Sequence, residues 1–113
     1  MRFGTSVLMV GLLALSAVVL WRSGQQGVTA TDISPEHELV FFSAPWCGYC
    51  DRARAWFDDQ RIDYLEIDIE SSTDANRLWR DAGGRGVPLV LVGDERIAGY
   101  SIDAYQRALQ SGL

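Results

Sequence analysis

The sequence contains no lysine, and its ten arginines are set against fifteen Asp and Glu residues, for a formal net charge of −5. Arg2 and Arg22 flank an N-terminal apolar segment; without them eight arginines face the same fifteen acids, and 8 − 15 leaves −7. Nucleic-acid binding depends on basic surfaces that neutralise phosphates. The charge balance therefore predicts no nucleic-acid partner.

Metal ligands and repeats are also scarce. The chain has two cysteines, Cys47 and Cys50, and a single histidine, His37. Structural zinc takes four ligands, mostly Cys and His, so no metal site is predicted. No internal repeat is present, and 113 residues that are 48% apolar suffice for one small domain with its own core.

The two cysteines form a C-x-x-C pair between a strand-like apolar run at 39–42 and a helix-like pattern. This arrangement is typical of a pair that opens and closes a disulfide. A helix beginning near Gly48 would place its free amides and positive dipole end at Cys47, which lowers the pKa of that thiol. Cys50, one turn on, is predicted as the less exposed, resolving thiol. A structural disulfide is the alternative, although so short a loop adds little stability.

A mostly apolar, uncharged run extends from Phe3 to Trp21. As a helix its nineteen residues would reach about 28 Å, close to the thickness of a bilayer core. We predict a transmembrane anchor over residues 1–22; a signal peptide cut near 28–30 is the alternative. The flanking charges favour the N-terminus inside. Both interpretations place the domain on the periplasmic or extracytoplasmic side, where disulfides persist.

The remaining sequence divides into a linker and one folded domain. Small and polar residues predict a flexible tether over 23–37, and the domain is predicted over 38–113. Hydrophobic periodicity predicts strands and helices in the order βαβαββα, an α/β fold, at 39–43, 48–60, 64–69, 72–82, 89–92, 96–98 and from Ser101, the predicted N-cap of the last helix.

Helical spacing assigns Trp56, Phe57 and Trp79 to the core. An acidic set is expected on a solvated face: Asp58, Asp59, Asp63, Glu66 and Asp68.

The order of elements, the C-x-x-C pair and the Gly-Val-Pro at 86–88 resemble the thioredoxin superfamily, and at this size its glutaredoxin branch, over residues 38–112. The segments CDRAR at 50–54 and IAGYS at 97–101 are similar to glutaredoxins, whereas APWCG at 44–48 and RGVP at 85–88 look more like thioredoxin. The resemblance implies a thioredoxin-like fold with a four-stranded mixed sheet and flanking helices.

The resemblance also implies a binding surface around the disulfide. Val87-Pro88 would be a cis peptide bond, and the backbone of Val87 would pair with a bound peptide or with glutathione. An ordinary trans proline at a strand start is the alternative, as is plain packing for the two aromatic residues beside the cysteines. The predicted substrate-binding residues are Trp46, Tyr49, Val87, Pro88, Gly99 and Ser101.

Three departures from the family patterns concern glutathione and proton transfer. Glutaredoxins that use glutathione usually carry a lysine before the first cysteine, where this chain has Ser-Ala-Pro at 43–45, and an acid after the Gly-Gly turn, where it has Ile102. Arg54, Ser101 and Asp103 are candidate substitutes, so glutathione stays open as a co-substrate. The buried acid of thioredoxins falls on Phe41.

The sequence thus predicts a monomeric, membrane-tethered thiol-disulfide oxidoreductase with Cys47 attacking and Cys50 resolving. Its predicted partners are protein thiols and disulfides, with glutathione mixed disulfides as a further class, and no cofactor is required. The net direction depends on reduction potentials relative to the partner. Two alternatives stay open: a glutaredoxin that holds an iron-sulfur cluster between two subunits, and a non-catalytic binding module.

Overall fold

The computed structural model describes residues 27–111. The predicted anchor over residues 1–22 lies outside these described residues. Within 27–111, no helix is both long enough and apolar enough to cross a membrane.

The described chain alternates strands and helices after one short helix. The predicted order βαβαββα is confirmed, and the boundaries agree with the prediction to within one residue. The elements are α1 (Ala30–Ile33), β1 (Leu39–Ser43), α2 (Gly48–Asp59), β2 (Tyr64–Asp68), α3 (Thr73–Asp81), β3 (Leu89–Val92), β4 (Glu95–Ala98) and α4 (Ile102–Ser111).

The four strands form one mixed sheet in the order β2-β1-β3-β4. β1 is parallel to β2 and antiparallel to β3, and β3 forms an antiparallel hairpin with β4. Every residue of β1 and β3 is buried, because these central strands are covered on both faces. The predicted thioredoxin-like α/β fold is confirmed.

An aromatic cluster joins α2 and α4 to one face of the sheet. The ring of Phe57 lies 5.4 Å from that of Phe41 and 5.3 Å from that of Tyr105, measured between centroids. Phe57 is in the core as predicted. Trp56 and Trp79 are only half-buried, so their assignment to the core was too simple. Each packs against the buried core and is partly exposed.

The described part of the predicted tether includes α1. Thr29 caps this helix: its hydroxyl accepts from the Asp32 amide at 3.3 Å, and its own amide donates to the Asp32 carboxylate at 3.0 Å. Ala30 is only 2% exposed, and its amide donates to the carbonyl of Gly93 at 3.2 Å. Polar composition predicts a tether here, whereas the reciprocal Thr29–Asp32 capping pattern favours a short helix.

Candidate redox site

Three loops converge at one end of the sheet. β1 runs toward the cysteine loop, and its Phe42 pairs with Leu89 at the start of antiparallel β3. Pro88 therefore lies beside the end of β1 that leads to Cys47. The amide of Gly99, just after β4, donates to the carbonyl of Pro88 at 2.9 Å. The cysteine loop, the Val-Pro loop and the Gly99 turn thus share this end, which we call the redox end.

Cys47 is the N-cap of α2, as the sequence predicted. Its backbone is extended, with φ −90° and ψ 100°, and its sulfur accepts a hydrogen bond from the amide of Cys50 at 3.1 Å. Cys47 and Cys50 form a disulfide with their Cα atoms 5.2 Å apart. An amide donor at a helix N-terminus stabilises negative charge on the sulfur it contacts. When the disulfide opens, this donor favours the Cys47 thiolate.

The two cysteines differ in exposure. Cys47 keeps 5% of its surface exposed, whereas Cys50 is fully buried. Cys47 is therefore the more exposed of the two, as expected for an attacking thiol, and Cys50 the less exposed, as expected for a resolving thiol. Cys47 is nevertheless largely enclosed in this oxidised form. An incoming thiolate can reach the disulfide only from the Cys47 side.

Two large aromatic side chains stand out from the surface beside the disulfide. Trp46 is 69% exposed and Tyr49 is 59% exposed, so packing into the core does not explain them. The indole nitrogen of Trp46 donates to Glu70 at 3.0 Å, and the ring of Tyr49 stacks on Tyr100 with centroids 6.0 Å apart. The guanidinium of Arg52 lies 5.3 Å from the Tyr49 centroid. Exposed apolar surface of this kind is typical of an interaction site.

Side chains beneath the redox end fix its two other loops. Val87-Pro88 is a cis peptide bond, as the resemblance implied. The carbonyl of Gly86, just before it, accepts from the indole nitrogen of Trp79 at 3.1 Å. The carbonyl of Gly99 accepts from the hydroxyl of buried Tyr105 at 2.6 Å. The sequence alone does not reveal these two positioning residues, because its only signal for either is an aromatic at helical spacing.

Burial raises the pKa of Tyr105 to about 12, and its hydroxyl, which is protonated at neutral pH as in any tyrosine, donates to Gly99. Gly99 itself has φ +90°, a left-handed conformation that favours glycine. Ser101 accepts from the amide of Ala104 at 3.3 Å and so caps α4, as predicted. Its hydroxyl is thus already in use as a helix cap.

A charged cluster lies under the first turns of α2. Arg54 donates to Glu66 through Nε and Nη2, both at 2.6 Å, and to Asp51 at 2.9 Å. The hydroxyl of buried Ser43 also donates to Glu66, at 2.8 Å. The bonds from Arg54, then that from Ser43, lower the pKa of the Glu66 carboxyl against the opposing effect of burial. Arg54 is correspondingly held protonated, since the Glu66 bond raises its pKa.

This cluster corrects one expectation and bears on another. Glu66 was predicted on a solvated face, but it is half-buried and points toward α2. Arg54 was a candidate substitute for a missing glutathione contact, yet its guanidinium is already paired with two carboxylates. Glu66 is half-buried because the β1–β2 register places it opposite Phe41, on the face that α2 covers. In residues 27–111, no group of three or more His, Cys, Asp or Glu side chains is arranged to hold a metal ion.

The family model described as glutaredoxin matches residues 39–97, which is just over half of the chain. The chain belongs to the glutaredoxin family. With the Cys47–Cys50 pair at the start of α2, this glutaredoxin is a thiol-disulfide oxidoreductase.

Relatives of known sequence or structure cover the same domain. A glutaredoxin of Pseudomonas aeruginosa is 29% identical over 72 residues, which are 62% of this chain and 86% of that protein. A crystal structure of a buckwheat glutaredoxin in complex with glutathione is 30% identical, with a TM-score of 0.51, covering 67% of this chain and 71% of that one. A thioredoxin-like protein, crystallised as a point mutant, is 26% identical with a TM-score of 0.60, covering 65% and 95%.

Proposed function

We propose that this glutaredoxin exchanges disulfides with other proteins in the cell envelope, with Cys47 as nucleophile and Cys50 as resolving thiol. The observation that carries the proposal is the hydrogen bond from the Cys50 amide to the Cys47 sulfur, on the only cysteine of the pair with exposed surface. That donor favours the thiolate both when Cys47 attacks and when it leaves.

In the reducing direction, the Cys47 thiolate attacks one sulfur of the substrate disulfide, and the other substrate sulfur leaves as a thiolate. The Cys50 thiolate then attacks the Cys47 sulfur of the mixed disulfide. The second substrate thiolate leaves, and the Cys47–Cys50 bond closes. Two electrons pass from the glutaredoxin to the substrate, and the reverse sequence oxidises a dithiol. The direction follows from the relative reduction potentials.

The envelope location rests on the apolar run at 3–21, and the point where the chain enters the domain bears on how an anchored domain would face. α1 is bonded to Gly93, at the end of β3 opposite Pro88. An anchored chain would therefore enter at the far end of the sheet and leave the redox end facing away from the membrane. A cut after Ala30 would remove the Thr29 cap and the buried Ala30 contact, which favours a retained anchor over a cleaved signal peptide.

Glutathione mixed disulfides are a second substrate class. Similarity to the buckwheat glutaredoxin crystallised with glutathione supports this class. Arg54 was a candidate contact for glutathione, and its pairing with Glu66 and Asp51 weighs against that contact. Protein disulfides are therefore the first substrates to test.

The test traps the reaction between its two steps. The full chain with Cys50→Ser, expressed in a bacterial host that has a periplasm, should accumulate mixed disulfides with envelope proteins, visible as adducts that a reductant removes. The matched control, Cys47→Ser, should form none, because Cys50 is buried. Equal adducts in both variants, or none in either, would refute the assignment of roles.

The two open alternatives give different results in the same samples. If the protein is a non-catalytic binding module, the Cys47→Ser variant should keep its full biological function. A cluster carrier would become coloured after reconstitution with iron, sulfide and glutathione, and would run as a dimer in size-exclusion chromatography. A colourless, monomeric product that turns over disulfides supports the oxidoreductase alone.

A further inference from the structure

The charged cluster under the first turns of α2 connects that helix to β1 and β2. We call it the Arg54 cluster, and its members are Ser43, Asp51, Arg54 and Glu66. Ser43 is the last residue of β1 and is 2% exposed. The carbonyl of the next residue, Ala44, accepts from the amide of Cys47 at 3.2 Å. The cluster therefore holds the end of the strand from which the cysteine loop begins.

Arg54 brings the charges of the cluster close to the cysteine pair. It follows Cys50 by four residues, so the two residues lie on one face of α2, one turn apart. Helical side chains lean toward the N-terminus, and the bond from Arg54 to Asp51 at 2.9 Å shows that this side chain does so. Asp51 directly follows Cys50 in the chain. The charges therefore lie about one helical turn from the resolving cysteine.

The Arg54 cluster carries a net negative charge. Arg54 is held protonated and the pKa of Glu66 is lowered, so both side chains are ionised at neutral pH. Asp51 pairs with the same guanidinium, and one cation with two carboxylates leaves a net charge of −1. The side chains of Arg54 and Glu66 are 34% and 27% exposed, and the guanidinium lies 6.0 Å from the centroid of the Phe41 ring. Solvent and salt screen such half-buried charges less than fully exposed ones.

We propose that Glu66 lowers the reduction potential of the Cys47–Cys50 disulfide by offsetting the positive charge of Arg54. This inference rests on the proposed function and adds a determinant of the net direction of exchange. Reduction of the disulfide takes up two electrons and, at neutral pH, one proton, which leaves a thiolate at Cys47 and a thiol at Cys50. A nearby cation stabilises the new negative charge, and a carboxylate opposes it. With Glu66 ionised, the reduced protein donates its electrons more readily.

An effect of charge and a purely structural effect of the pair predict different results. Arg54 and Glu66 bond at two points, so a neutral residue at either position weakens the same hydrogen bonds and destabilises the fold. The effects on charge have opposite signs. Glu66→Gln changes the net charge of the cluster from −1 to 0, whereas Arg54→Gln changes it to −2. Only an electrostatic role therefore moves the reduction potential in opposite directions in the two variants.

The test equilibrates the full chain, in a non-ionic detergent, with graded ratios of reduced to oxidised glutathione as a redox buffer. Alkylation of free thiols followed by mass spectrometry counts the reduced protein and separates it from glutathione adducts. We expect Glu66→Gln to raise the equilibrium constant for reduction of the disulfide about three- to tenfold, and Arg54→Gln to lower it by a similar factor. A tenfold change corresponds to a shift of about 30 mV in the reduction potential.

Three further variants separate charge from geometry. Arg54→Lys keeps the charge but loses the two-point pairing, so it should reduce stability and leave the equilibrium constant within about twofold of wild type. Asp51→Asn removes an exposed carboxylate without changing the bonds to Glu66, and it should raise the constant by less than Glu66→Gln does. The matched control is Asp59→Asn, an exposed change at the last residue of α2, which should have no effect.

Shifts in the same direction in Glu66→Gln and Arg54→Gln, or no shift in either, would overturn the proposal. If one of these two variants does not fold, Asp51→Asn and Arg54→Lys decide the question by the same measurement. The proposal is then wrong if Asp51→Asn leaves the equilibrium constant unchanged or if Arg54→Lys shifts it more than about twofold. A disulfide that equilibrates with the buffer but exchanges with no protein would refute the proposed function, and the order of the variants would still decide the role of Glu66.

Discussion

The two ends of the sheet are stabilised in different ways. At the redox end, buried or half-buried side chains hold loop carbonyls from below: Trp79 holds Gly86 and Tyr105 holds Gly99. At the opposite end, α1 covers the β3–β4 turn through a backbone bond from Ala30 and its own cap. One end is fixed from the inside and keeps its outer surface free, whereas the other is covered from the outside.

This difference suggests a division of labour. A surface that must meet partner proteins cannot be covered, so its loops are positioned by side chains of the elements beneath them. The covered end has no such requirement. Substitutions at the redox end should therefore change reaction rates, with or without a loss of stability. Substitutions at the α1 end should change stability alone.

The largest effect is expected at Cys47 itself. In the reduced Cys50→Ser variant, the helix N-terminus and the amide of residue 50 should hold the pKa of the Cys47 thiol below that of free cysteine. The pH dependence of thiolate absorbance measures this value. In the matched Cys47→Ser variant, buried Cys50 should titrate at or above the free value. Equal pKa values for the two thiols would remove the physical basis of their different roles.

Glu66→Gln should lower the free energy of unfolding by about 2 kcal/mol, because a neutral amide with one acceptor oxygen replaces the carboxylate that accepts two bonds from Arg54. Urea unfolding measures this loss. The exposed change Asp59→Asn should cost less than about 0.5 kcal/mol.

The same pair predicts a pH dependence. The pKa of Glu66 is lowered in the folded state from an ordinary value of 4.5. The contribution of Glu66 to the free energy of unfolding is therefore complete above about pH 5 and is lost as the pH falls through the pKa of the folded state. The stability difference between wild type and Glu66→Gln should shrink as the pH falls below 5. A difference that is constant with pH would mean that Glu66 acts by packing.

The residues whose roles depend on local sequence could be predicted, and those whose roles depend on tertiary register could not. Cys47 was placed as a helix N-cap because the apolar run before it and the helical spacing after it are local signals. The burial of Glu66 required knowing that β2 pairs with β1 so that residue 66 lies opposite Phe41. The alternation of apolar and acidic residues alone assigns Glu66 to a solvated face. In the structure β2 is an edge strand whose residues are all half-buried, so alternation does not separate a buried face from an exposed one.

Tyr105→Phe tests the redox end at a smaller scale. The change removes only the hydroxyl that donates to Gly99, leaves a carbonyl without its partner and should cost about 1–1.5 kcal/mol of unfolding free energy. Because Gly99 in turn bonds to Pro88, we also expect disulfide exchange to slow by about two- to fivefold. Stopped-flow kinetics with a disulfide-bridged peptide measures the rate. A normal rate with reduced stability would show that the Gly99 turn does not position the site.

The smallest effect is expected at the opposite end, from Thr29→Ala. Loss of the cap hydroxyl of α1 should reduce the unfolding free energy by about 0.5–1 kcal/mol. Thr29→Ser keeps the hydroxyl and should behave as wild type. Neither variant should alter the rate of disulfide exchange, because α1 is bonded to the Gly93 end of the sheet. If Thr29→Ala slowed exchange as much as Tyr105→Phe, the two ends would be coupled through β3, and the division of labour would be wrong.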